Sequence, residues 1–334
     1  MKVTDTTLDP RQWDLFVENN YPPVGAFMQA WGWGAFQKDL GRRVGRYSVM
    51  DGDNLVAVFT LVELKLAFGF AYGYVPRGPV VRGNIDAKKI AEVFQTVGVW
   101  VRKQFPHLIF VRLEPPVTFS PEFRLPGFHF PSHYVQPRHN IVVDLTKSEE
   151  DILASFHSST RSNTRRAEKR GVTVTVKDAA TPADYQIFTD MVNDTIRRNN
   201  GKNAYPHDEY FHFLLKKIPL TMFLGYCEDR PASIHFVLFF GKTATYLYGA
   251  SHTAEMNSKA DTYCHWYAMK EAKRRGCKYY DLGAIDSRRW PSLTTYKRQF
   301  KGQELEYMGN IDIPFRTIFY YAYSCMRYLK TRFK

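Results

Sequence analysis

The order of predicted elements repeats once along the sequence, and this repeat restricts the fold more than any other feature. In the first copy, the segments RYSVM, LVAVFTLVEL and FAYGYV are apolar runs separated by turn residues, which predicts three consecutive antiparallel strands. A helix from Ala87 to Gln104 is predicted next, because its apolar residues recur at helical spacing. The strand LIFVRLE follows and ends at Glu114.

The second copy lies in the C-terminal half of the chain. Its strands are TMFLGYCE, SIHFVLFF and TATYLYGAS, its helix runs from Tyr263 to Arg275, and its closing strand is CKYYDLG, which carries Asp281. Each copy therefore ends a buried strand with an acidic residue, Glu114 in the first and Asp281 in the second. We interpret the sequence as an internal duplication.

Antiparallel strands that lead into a helix and one further strand indicate a layered α+β fold, as in N-acetyltransferase (GNAT)-like domains. We expect two tandem GNAT-like domains with mixed, largely antiparallel sheets covered by helices, for which 334 residues are enough. The first domain is expected to comprise residues 1–144 and 312–334, because the final helix is free to return to it. The second is expected to comprise residues 145–311. The segment VQPRHNIVVDL is expected to be the strand that closes the first domain.

The chain carries a surplus of positive charge. Its 46 Lys and Arg against 33 Asp and Glu give a net charge of +13, which raises encounter rates with nucleic acid, nucleotides or anionic membrane without choosing among them. The four cysteines are scattered and form no Cys-x-x-Cys pair. We therefore expect reduced thiols in a cytoplasmic protein, and we do not expect zinc bound by cysteine.

The two ends of the sequence bear on its relation to membranes. The segment MKVTDTTLDPRQWDLF lacks the apolar core of a signal peptide, and no uncharged apolar run approaches the ~20 residues that span a bilayer. We expect a protein that is neither exported by this route nor integral to a membrane. The C-terminal segment PFRTIFYYAYSCMRYLKTRFK interleaves aromatic and basic residues, which suits peripheral contact at headgroup depth. A helix that packs these aromatics on a neighbouring domain is an equally good interpretation.

The segment from Gln136 to Val174 joins an acidic helix start to a strongly cationic helix. Thr146 or Ser148 is the expected N-cap, and the first turn carries Glu149, Glu150 and Asp151. The basic side chains fall on adjoining stripes of the predicted helix with only Glu168 to offset them; they are Arg161, Arg165, Arg166, Lys169 and Arg170. This pattern favours a surface that binds a polyanion, and a solvated charged helix is the alternative.

Several catalytic motifs are absent from the sequence. It contains no G-x-S-x-G elbow, no G-x-x-x-x-G-K-[ST] phosphate loop and no H-E-x-x-H, which argues against hydrolase, P-loop and zincin functions. His129, His133 and His139 lie in a Pro-rich segment without a matched carboxylate, so we assign no metal. A turn that would hold the pyrophosphate of coenzyme A is missing after both GYVPRGP and YLYGAS.

The segments QPRHNIVVDL and STRSNTRRAEKRGV, the turn YVPRGP, the strand end YYDLGAID and the run LTTYKRQFKGQELEYMG together resemble the FemABX family of peptidyltransferases. The resemblance begins at QAWGWGAFQKDLG and spans nearly the whole chain. It implies a pair of GNAT-like domains that move an amino acid from aminoacyl-tRNA to the stem peptide of a peptidoglycan precursor, lipid II or UDP-MurNAc-pentapeptide. It also implies a cytoplasmic monomer that needs no cofactor.

The resemblance assigns candidate catalytic residues. Tyr296 and Lys297 fall where the family has an aromatic residue followed by lysine, and Lys297 is expected to stabilise the oxyanion or to orient the tRNA 3′ end. A surface lysine is the alternative. Glu114 falls where relatives carry an acidic residue that accepts the amine proton. If that proton goes to water or to the substrate instead, Glu114 only braces the site.

The resemblance also assigns candidate binding residues. Lys38 lies near the position where a relative uses lysine on the nucleotide-sugar pyrophosphate, although Gln37 aligns better. The other candidates for phosphate, carboxylate or sugar are Arg77, Arg198, Tyr210, Tyr248 and Asp281. Ordinary packing or surface charge is the alternative for each, and Arg197 competes with Arg198. The cationic helix would meet the tRNA backbone by shape and charge.

Two other functions are compatible with this sequence. A CoA-dependent N-acyltransferase of GNAT type would share the fold, although the missing pyrophosphate turn argues against it. A non-catalytic RNA-binding or membrane-surface protein would use the basic residues alone. The identity and number of the amino acids transferred depend on pocket shape, which the sequence does not reveal.

Overall fold

The computed structural model describes residues 1–21, 26–131, 134–199 and 205–332, without the side chains of Ala26, Asp208 and residues 330–332. His133 and the last two residues of the C-terminal aromatic and basic segment lie outside these residues. The chain divides into two compact units, Met1–Arg138 with Glu306–Lys334, and His139–Leu305. The sequence placed both boundaries six residues later, at 144 against 138 and at 311 against 305.

In chain order the described strands are β1 (Lys2–Asp5), β2 (Val44–Asp51), β3 (Asn54–Lys65), β4 (Ala71–Val75), β5 (Val80–Val81), β6 (Phe110–Leu113), β7 (His139–Asp144), β8 (Thr173–Lys177), β9 (Leu220–Cys227), β10 (Arg230–Phe240), β11 (Thr243–Ser251), β12 (Tyr279–Ile285), β13 (Gln303–Glu306) and β14 (Ile311–Pro314). The α-helices are α1 (Pro10–Asn20), α2 (Trp31–Asp39), α3 (Ala87–Gln104), α4 (Glu149–Ser155), α5 (Ser158–Lys169), α6 (Pro182–Arg198), α7 (Asp208–Lys217), α8 (Ala260–Arg274), α9 (Pro291–Arg298) and α10 (Thr317–Arg332).

The first unit is built on a sheet in the order β1-β2-β3-β4-β6-β14, with β5 paired to β3. Neighbouring strands are antiparallel except β4 and β6, which are parallel because the chain crosses through α3 between them. Asp86 caps α3 by accepting a hydrogen bond from the Lys89 amide at 2.8 Å. The helix then buries Val93, Phe94 and Val97 in the core of this sheet.

The second unit repeats this plan. Its sheet has the order β13-β7-β12-β11-β10-β9-β8, and β11 and β12 are parallel across the crossover helix α8. Helix α8 contributes Trp266 and Met269 to a core that also contains Tyr280 and Phe300. The predicted duplication of three antiparallel strands, a helix and a parallel strand is therefore present in both units.

The expectation that VQPRHNIVVDL closes the first sheet is wrong. This segment forms β7, which pairs antiparallel with β12 in the second sheet and places Val143 opposite Tyr280. Its side chains at Ile141 and Val143 enter the core of the second unit. The first sheet is closed instead by β14, which places Ile311 opposite Leu113 of β6.

The cationic segment forms two short helices, not the single helix that the sequence predicts. Ser148 caps α4 and accepts from the Asp151 amide at 3.1 Å, which confirms one of the two expected caps. Helix α4 ends at Phe156, whose extended backbone buries its side chain in the core. His157 then starts α5 by accepting from the Ser159 amide. The acidic first turn and the cationic face therefore belong to different helices.

Candidate active site

Helix α9 places Lys297 inside the second unit. The residue is 5% exposed, and its Nζ donates to the Ala284 carbonyl of β12 at 2.9 Å. Burial lowers the pKa of Lys297 to about 8, although the negative charges of Asp281 and Asp261 act in the opposite direction. The alternative of a surface lysine is therefore excluded by its position. An ammonium group with a pKa this close to neutrality can donate both hydrogen bonds and protons.

The backbone beside Lys297 is open because position 283 is a glycine. Gly283 has a φ of +79°, and a Cβ at this position would lie 3.1 Å from the Tyr246 carbonyl oxygen and 3.4 Å from Lys297 Nζ. The register of β12 against β7 shifts between Asp281 and Ala284, which is where this glycine lies. A side chain at 283 would therefore occupy space beside the ammonium group.

Asp281 supports Lys297 from within the core. Its carboxylate accepts from the Gly283 amide at 2.7 Å and from Asn140 Nδ2 at 3.2 Å. The residue has no exposed surface. The sequence predicts Asp281 as a substrate-binding residue, but a fully buried carboxylate acts on the site through its charge on Lys297 and not by touching a ligand.

A polar cluster that the sequence analysis missed lies next to this pair. His235 on β10 shares a hydrogen bond of 2.9 Å between its Nε2 and Oδ1 of Asp261, in the first turn of α8. His265, one turn further along α8, shares 3.2 Å between its Nδ1 and the Tyr280 hydroxyl. The Tyr296 hydroxyl donates to Oγ1 of Thr262, the residue after Asp261, at 3.5 Å. The available signal was a histidine within the largely apolar strand segment SIHFVLFF, because buried polar side chains need partners.

The pKa values of the side chains in this cluster shift in different directions. Burial and the neighbouring His235 hold the pKa of His265 well below its usual value, so its imidazole is neutral. Burial opposes ionisation of Asp261, but the hydrogen bond and charge of His235 lower the pKa of the carboxyl below its usual range. Burial raises the pKa of Tyr296 well above its usual value, so it remains a phenol and donates.

The same cluster is the group within the described ranges whose side chains come nearest to a metal-ligand set. One ligand atom each from His235, Asp261 and His265 lies within 4.8 Å of the others. Ligand atoms around tetrahedral zinc lie roughly 3.3 Å apart, since metal–ligand bonds are ~2 Å. The hydrogen bonds within the cluster account for the observed spacing without an ion. Of the histidines considered from sequence, His129 pairs its backbone with Asp312 and His139 begins β7.

Glu114 is held inside the first unit. It is buried, the Tyr74 hydroxyl donates to its Oε2, and the Gln136 amide donates to its Oε1 at 3.1 Å. Burial raises the pKa of Glu114, and the charge of Arg77 counteracts this. Arg77 is itself buried, donates to the Pro137 carbonyl at 2.7 Å and lies 4.8 Å from the centre of the Tyr307 ring. Both groups thus brace the interior of the first unit.

The remaining binding candidates lie in different surroundings. Lys38 is exposed on α2, whereas Gln37 is buried and accepts a hydrogen bond from Arg42. Arg198 is exposed at the end of α6 and donates to Thr253 Oγ1 at 2.9 Å. Tyr248 on β11 packs 5.1 Å from the ring of Phe211, and burial raises its pKa.

Candidate residues of the second unit also include Tyr210, which lies half-buried on α7. Arg197, the competitor of Arg198, pairs instead with Asp194. By unit, Lys38, Arg77 and Glu114 belong to the first and the other candidates to the second.

Helix α5 forms a basic surface with a shallow cavity of about 350 Å³, lined by Ser158, Arg161, Ser162, Arg165, Arg166 and Lys169. Arg161 donates to the Ala154 carbonyl at 3.2 Å, and Arg170 donates to the Asn257 carbonyl. Arg165, Arg166 and Lys169 are exposed and make no ion pair within the described part of the chain. They are therefore available to an external anion.

Comparisons with known proteins place this geometry in context. An acetyltransferase (GNAT) domain model matches residues 154–298. The UDP-N-acetylmuramoylpentapeptide-lysine N(6)-alanyltransferase of Weissella viridescens is 26% identical over 326 residues, covering 89% of this chain and 85% of that protein. The lipid II:glycine glycyltransferase of Staphylococcus saprophyticus is 22% identical over 364 residues, covering 86% and 85% respectively.

Solved structures agree with these matches at the level of the fold. A crystal structure of FemX superposes with a TM-score of 0.82 at 18% identity, covering 97% of this chain and all of that chain. A tandem GNAT protein from the clavulanic acid biosynthesis pathway has a TM-score of 0.51 at 10% identity, covering 93% and 90%. The expected α+β fold with two tandem GNAT-like domains is confirmed.

Proposed function

We propose that this chain, a Fem-type transferase by its relatives and its fold, moves an amino acid from aminoacyl-tRNA to the stem-peptide amine of a peptidoglycan precursor, lipid II or UDP-MurNAc-pentapeptide. The observation that carries the proposal is the buried ammonium group of Lys297 beside an open glycine backbone. Since charged tRNA is made in the cytoplasm, we place the reaction there. No cofactor is needed, because the donor ester is already activated.

The chemistry asks little of the protein. The acceptor amine attacks the ester carbonyl, the carbonyl oxygen becomes negative, and the ribose oxygen leaves with a proton as the amide forms. Lys297 holds one hydrogen bond to Ala284, so its two other N–H donors are available to the developing oxyanion. Tyr296 keeps its proton and donates to Thr262, the residue after Asp261. The enzyme aligns two reactants and stabilises charge.

Glu114 is proposed to brace the interior of the first unit and not to act as the base. Both of its oxygens already accept hydrogen bonds, from Tyr74 and from the Gln136 amide. A base must lie within hydrogen-bond reach of the amine that it deprotonates, and Glu114 has almost no exposed surface. The amine proton then leaves to water or to the substrate.

The basic surface of α5 is proposed to bind the tRNA backbone. Arg165, Arg166 and Lys169 are exposed on one short helix, and their charge is not neutralised by acidic partners in the described ranges. Folded RNA is bound largely through phosphates and shape, so three free cations on a rigid helix suit this role.

Peripheral contact with an anionic membrane is proposed for α10. Its buried face carries Tyr320 and Tyr323, but the opposite face is also apolar and is exposed; its residues are Ile318, Tyr321, Ala322, Cys325, Tyr328 and Leu329. Helix α10 contains no acidic residue. An apolar surface flanked by basic residues fits a bilayer of anionic lipid. A second copy of this chain fits this surface less well, because the positive charges of the two copies would repel each other.

A cavity beside α10 extends this surface. It measures about 1210 Å³, and Phe68, Phe319 and Met326 contribute apolar walls while Arg42 and Arg327 lie at its edges. Phe68 is almost fully exposed. No helix among the described residues is both long and apolar enough to cross a bilayer. The proposed contact is therefore with a membrane surface.

The transfer itself is tested directly. Purified protein is incubated with labelled charged tRNAs, each offered with lipid II and with UDP-MurNAc-pentapeptide, and with acetyl-CoA in place of tRNA as a parallel donor. We expect label on the precursor with one charged tRNA and none from acetyl-CoA. Absence of transfer from every charged tRNA would show the proposal to be wrong, and acetyl transfer would favour the CoA-dependent alternative.

The membrane contact is tested by flotation with vesicles containing phosphatidylglycerol. We expect Ile318→Glu/Leu329→Glu to reduce the floating fraction several-fold, because two charges would enter the apolar stripe. The matched control is Leu15→Glu/Val99→Glu, which changes two exposed apolar residues of the same unit outside α10. Equal flotation of both variants, or a change in oligomeric state without vesicles, would count against a lipid surface.

A further inference from the structure

One carboxylate in the polar cluster is accessible from outside. The Asp261 side chain is 36% exposed, whereas its partner His235 has no exposed surface and His265 is buried. The Asp261 carboxylate therefore reaches solvent, and the two histidines do not. An ionised group in this position is solvated on one side and held by hydrogen bonds on the other.

The charge of Asp261 is not matched by a strong cation. Its side-chain hydrogen bond is to His235, and no Lys or Arg pairs with it anywhere in the described ranges. Two other shielded carboxylates, Asp184 and Asp312, do have such a partner: Lys177 lies 2.8 Å from Asp184, and Arg112 lies 2.6 Å from Asp312. Buried or half-buried carboxylates normally have one.

Asp261 is also tied to the reactive centre. The Tyr246 ring lies 4.9 Å from the His235 ring and 5.7 Å from Lys297 Nζ. The Tyr296 hydroxyl, on the residue before Lys297, donates to Oγ1 of Thr262, the residue after Asp261, at 3.5 Å. The charge of Asp261 in turn acts on the Lys297 ammonium group. A cation held at Asp261 would therefore lie beside a carbonyl oxygen held at Lys297. The two groups form an anion and a cation on neighbouring parts of one site.

We propose that Asp261, backed by His235, is a subsite for a primary ammonium group of a substrate in the transfer reaction. This inference rests on the proposed function, because both reactants of that reaction carry an amine next to the reacting carbonyl. An aminoacyl ester has its α-ammonium one carbon from the carbonyl, and the acceptor presents the amine that attacks it. The same chemical group, R–NH₃⁺, is thus present on both the donor and the acceptor.

An organic cation fits the cluster better than a metal ion does. An ammonium group donates hydrogen bonds of about 2.7–2.9 Å to a carboxylate, and it needs only the exposed side of Asp261. A metal ion would need the three ligand atoms of the cluster to draw together from a spacing of up to 4.8 Å. It would also have to break the hydrogen bond between His235 and Asp261.

The donor arm of the test uses a stable mimic, 3′-aminoacylamido-adenosine, and its α-hydroxyacyl counterpart. Calorimetry measures the affinity of the full-length protein for each. We expect the ammonium form to bind about 10- to 100-fold more tightly than the hydroxyl form, since a charge-assisted hydrogen bond distinguishes them. Asp261→Asn should bind both forms alike, and Asp261→Glu should restore part of the preference.

The acceptor arm measures KM for the peptidoglycan precursor in the transfer assay. If Asp261→Asn keeps the preference between donor mimics but raises the acceptor KM at least tenfold, the ammonium group belongs to the acceptor. The matched control is Glu271→Gln, which removes a carboxylate near the other end of α8, where it bonds to Arg274 and Arg275. It should leave both readouts unchanged, and thermal melts should show that each variant is folded.

Two outcomes separate the inference from the function on which it rests. A wild-type protein that transfers nothing, but binds the ammonium mimic more tightly than the hydroxyl mimic, would overturn the proposed function and keep the subsite. If folded Asp261→Asn keeps the wild-type preference for the ammonium mimic and the wild-type acceptor KM, the subsite is overturned. The proposed transfer reaction is not affected by that result.

Discussion

At the scale of single residues, position in the sequence identified Lys297 but not its environment. The run TTYKRQF pointed to Tyr296 and Lys297, whereas burial of the ammonium group depends on how α9 packs against β12. His235 and Asp261 were not found, because they lie in different elements, His235 on β10 and Asp261 on α8. Only the packing of β10 against α8 brings them within hydrogen-bond distance. Contacts of this kind are non-local and leave no pattern in a window of sequence.

Replacing Lys297 by methionine should separate catalysis from binding. We expect Lys297→Met to lower kcat/KM by about 10²- to 10³-fold, because a donor to the oxyanion is lost, and to leave tRNA affinity nearly unchanged. The control is Lys278→Met, an exposed lysine of the same unit. Wild-type turnover in Lys297→Met would rule out the role assigned to the ammonium group.

The lowered pKa of Lys297 predicts opposite effects of pH on stability and activity. The pKa is 10.5 in the unfolded chain and about 8 in the folded protein, so the unfolded state binds more protons between these values. The free energy of unfolding should therefore rise with pH across this window, by up to about 3 kcal/mol relative to Lys297→Met. Turnover should fall as pH rises through about 8. Denaturant titrations and pH-rate profiles measure the two.

At the scale of elements, periodicity predicted type and extent well where the elements are long. Helix α3 runs from Ala87 to Gln104 and β11 from Thr243 to Ser251, as expected from the sequence. The break between α4 and α5 was not predicted. The acidic start and the basic stripes are both typical of a helix. The two helices are separated at Phe156, because its side chain is buried between Trp266 and Phe300. Tertiary packing overrides local propensity there.

The short cationic helix α5 should contribute to tRNA binding through charge alone. We expect Arg165→Gln/Arg166→Gln to weaken tRNA binding and to reduce the slope of log K against log salt by about 1 to 2, because two phosphate contacts are lost. The acceptor KM should not change. Filter binding over a salt series measures the slope.

The control for this prediction is Arg102→Gln/Lys103→Gln, which removes the same charge from the end of α3. If both double variants lose the same affinity, general electrostatic attraction accounts for the effect. A site on α5 requires that the first variant lose clearly more.

At the scale of the whole chain, the duplication could be predicted but the strand that closes each sheet could not. Both β7 and β14 are short apolar strands, and sequence does not state which partner each one chooses. In the structure, a pair of buried side chains joins β14 to its partner strand. Arg112 of β6 forms a bidentate pair with Asp312 of β14, at 2.7 and 2.6 Å, and neither group has exposed surface. The pair specifies the register of β14.

Breaking this pair should destabilise the first unit. We expect Asp312→Asn to lower the free energy of unfolding by about 3–5 kcal/mol, because a buried guanidinium loses its counter-charge. Chemical denaturation measures the change, and Asp53→Asn, at an exposed turn, is the control. The apolar double variant Arg112→Met/Asp312→Leu should recover much of the loss. If the double variant does not recover the loss, side-chain shape and not charge determines the pairing of β14 with β6.

The closing position of β14 has a consequence for how the protein is made. Strand β14, which completes the sheet begun by β1 and β2, is synthesised after every strand of the second sheet. The first unit therefore has the edge of β6 unpaired until β14 is made. The second unit contains all strands of its own sheet and can fold before the first unit is complete. Synthesis that stops shortly before Ile311 would yield a chain with one finished lobe and one that is prone to aggregate.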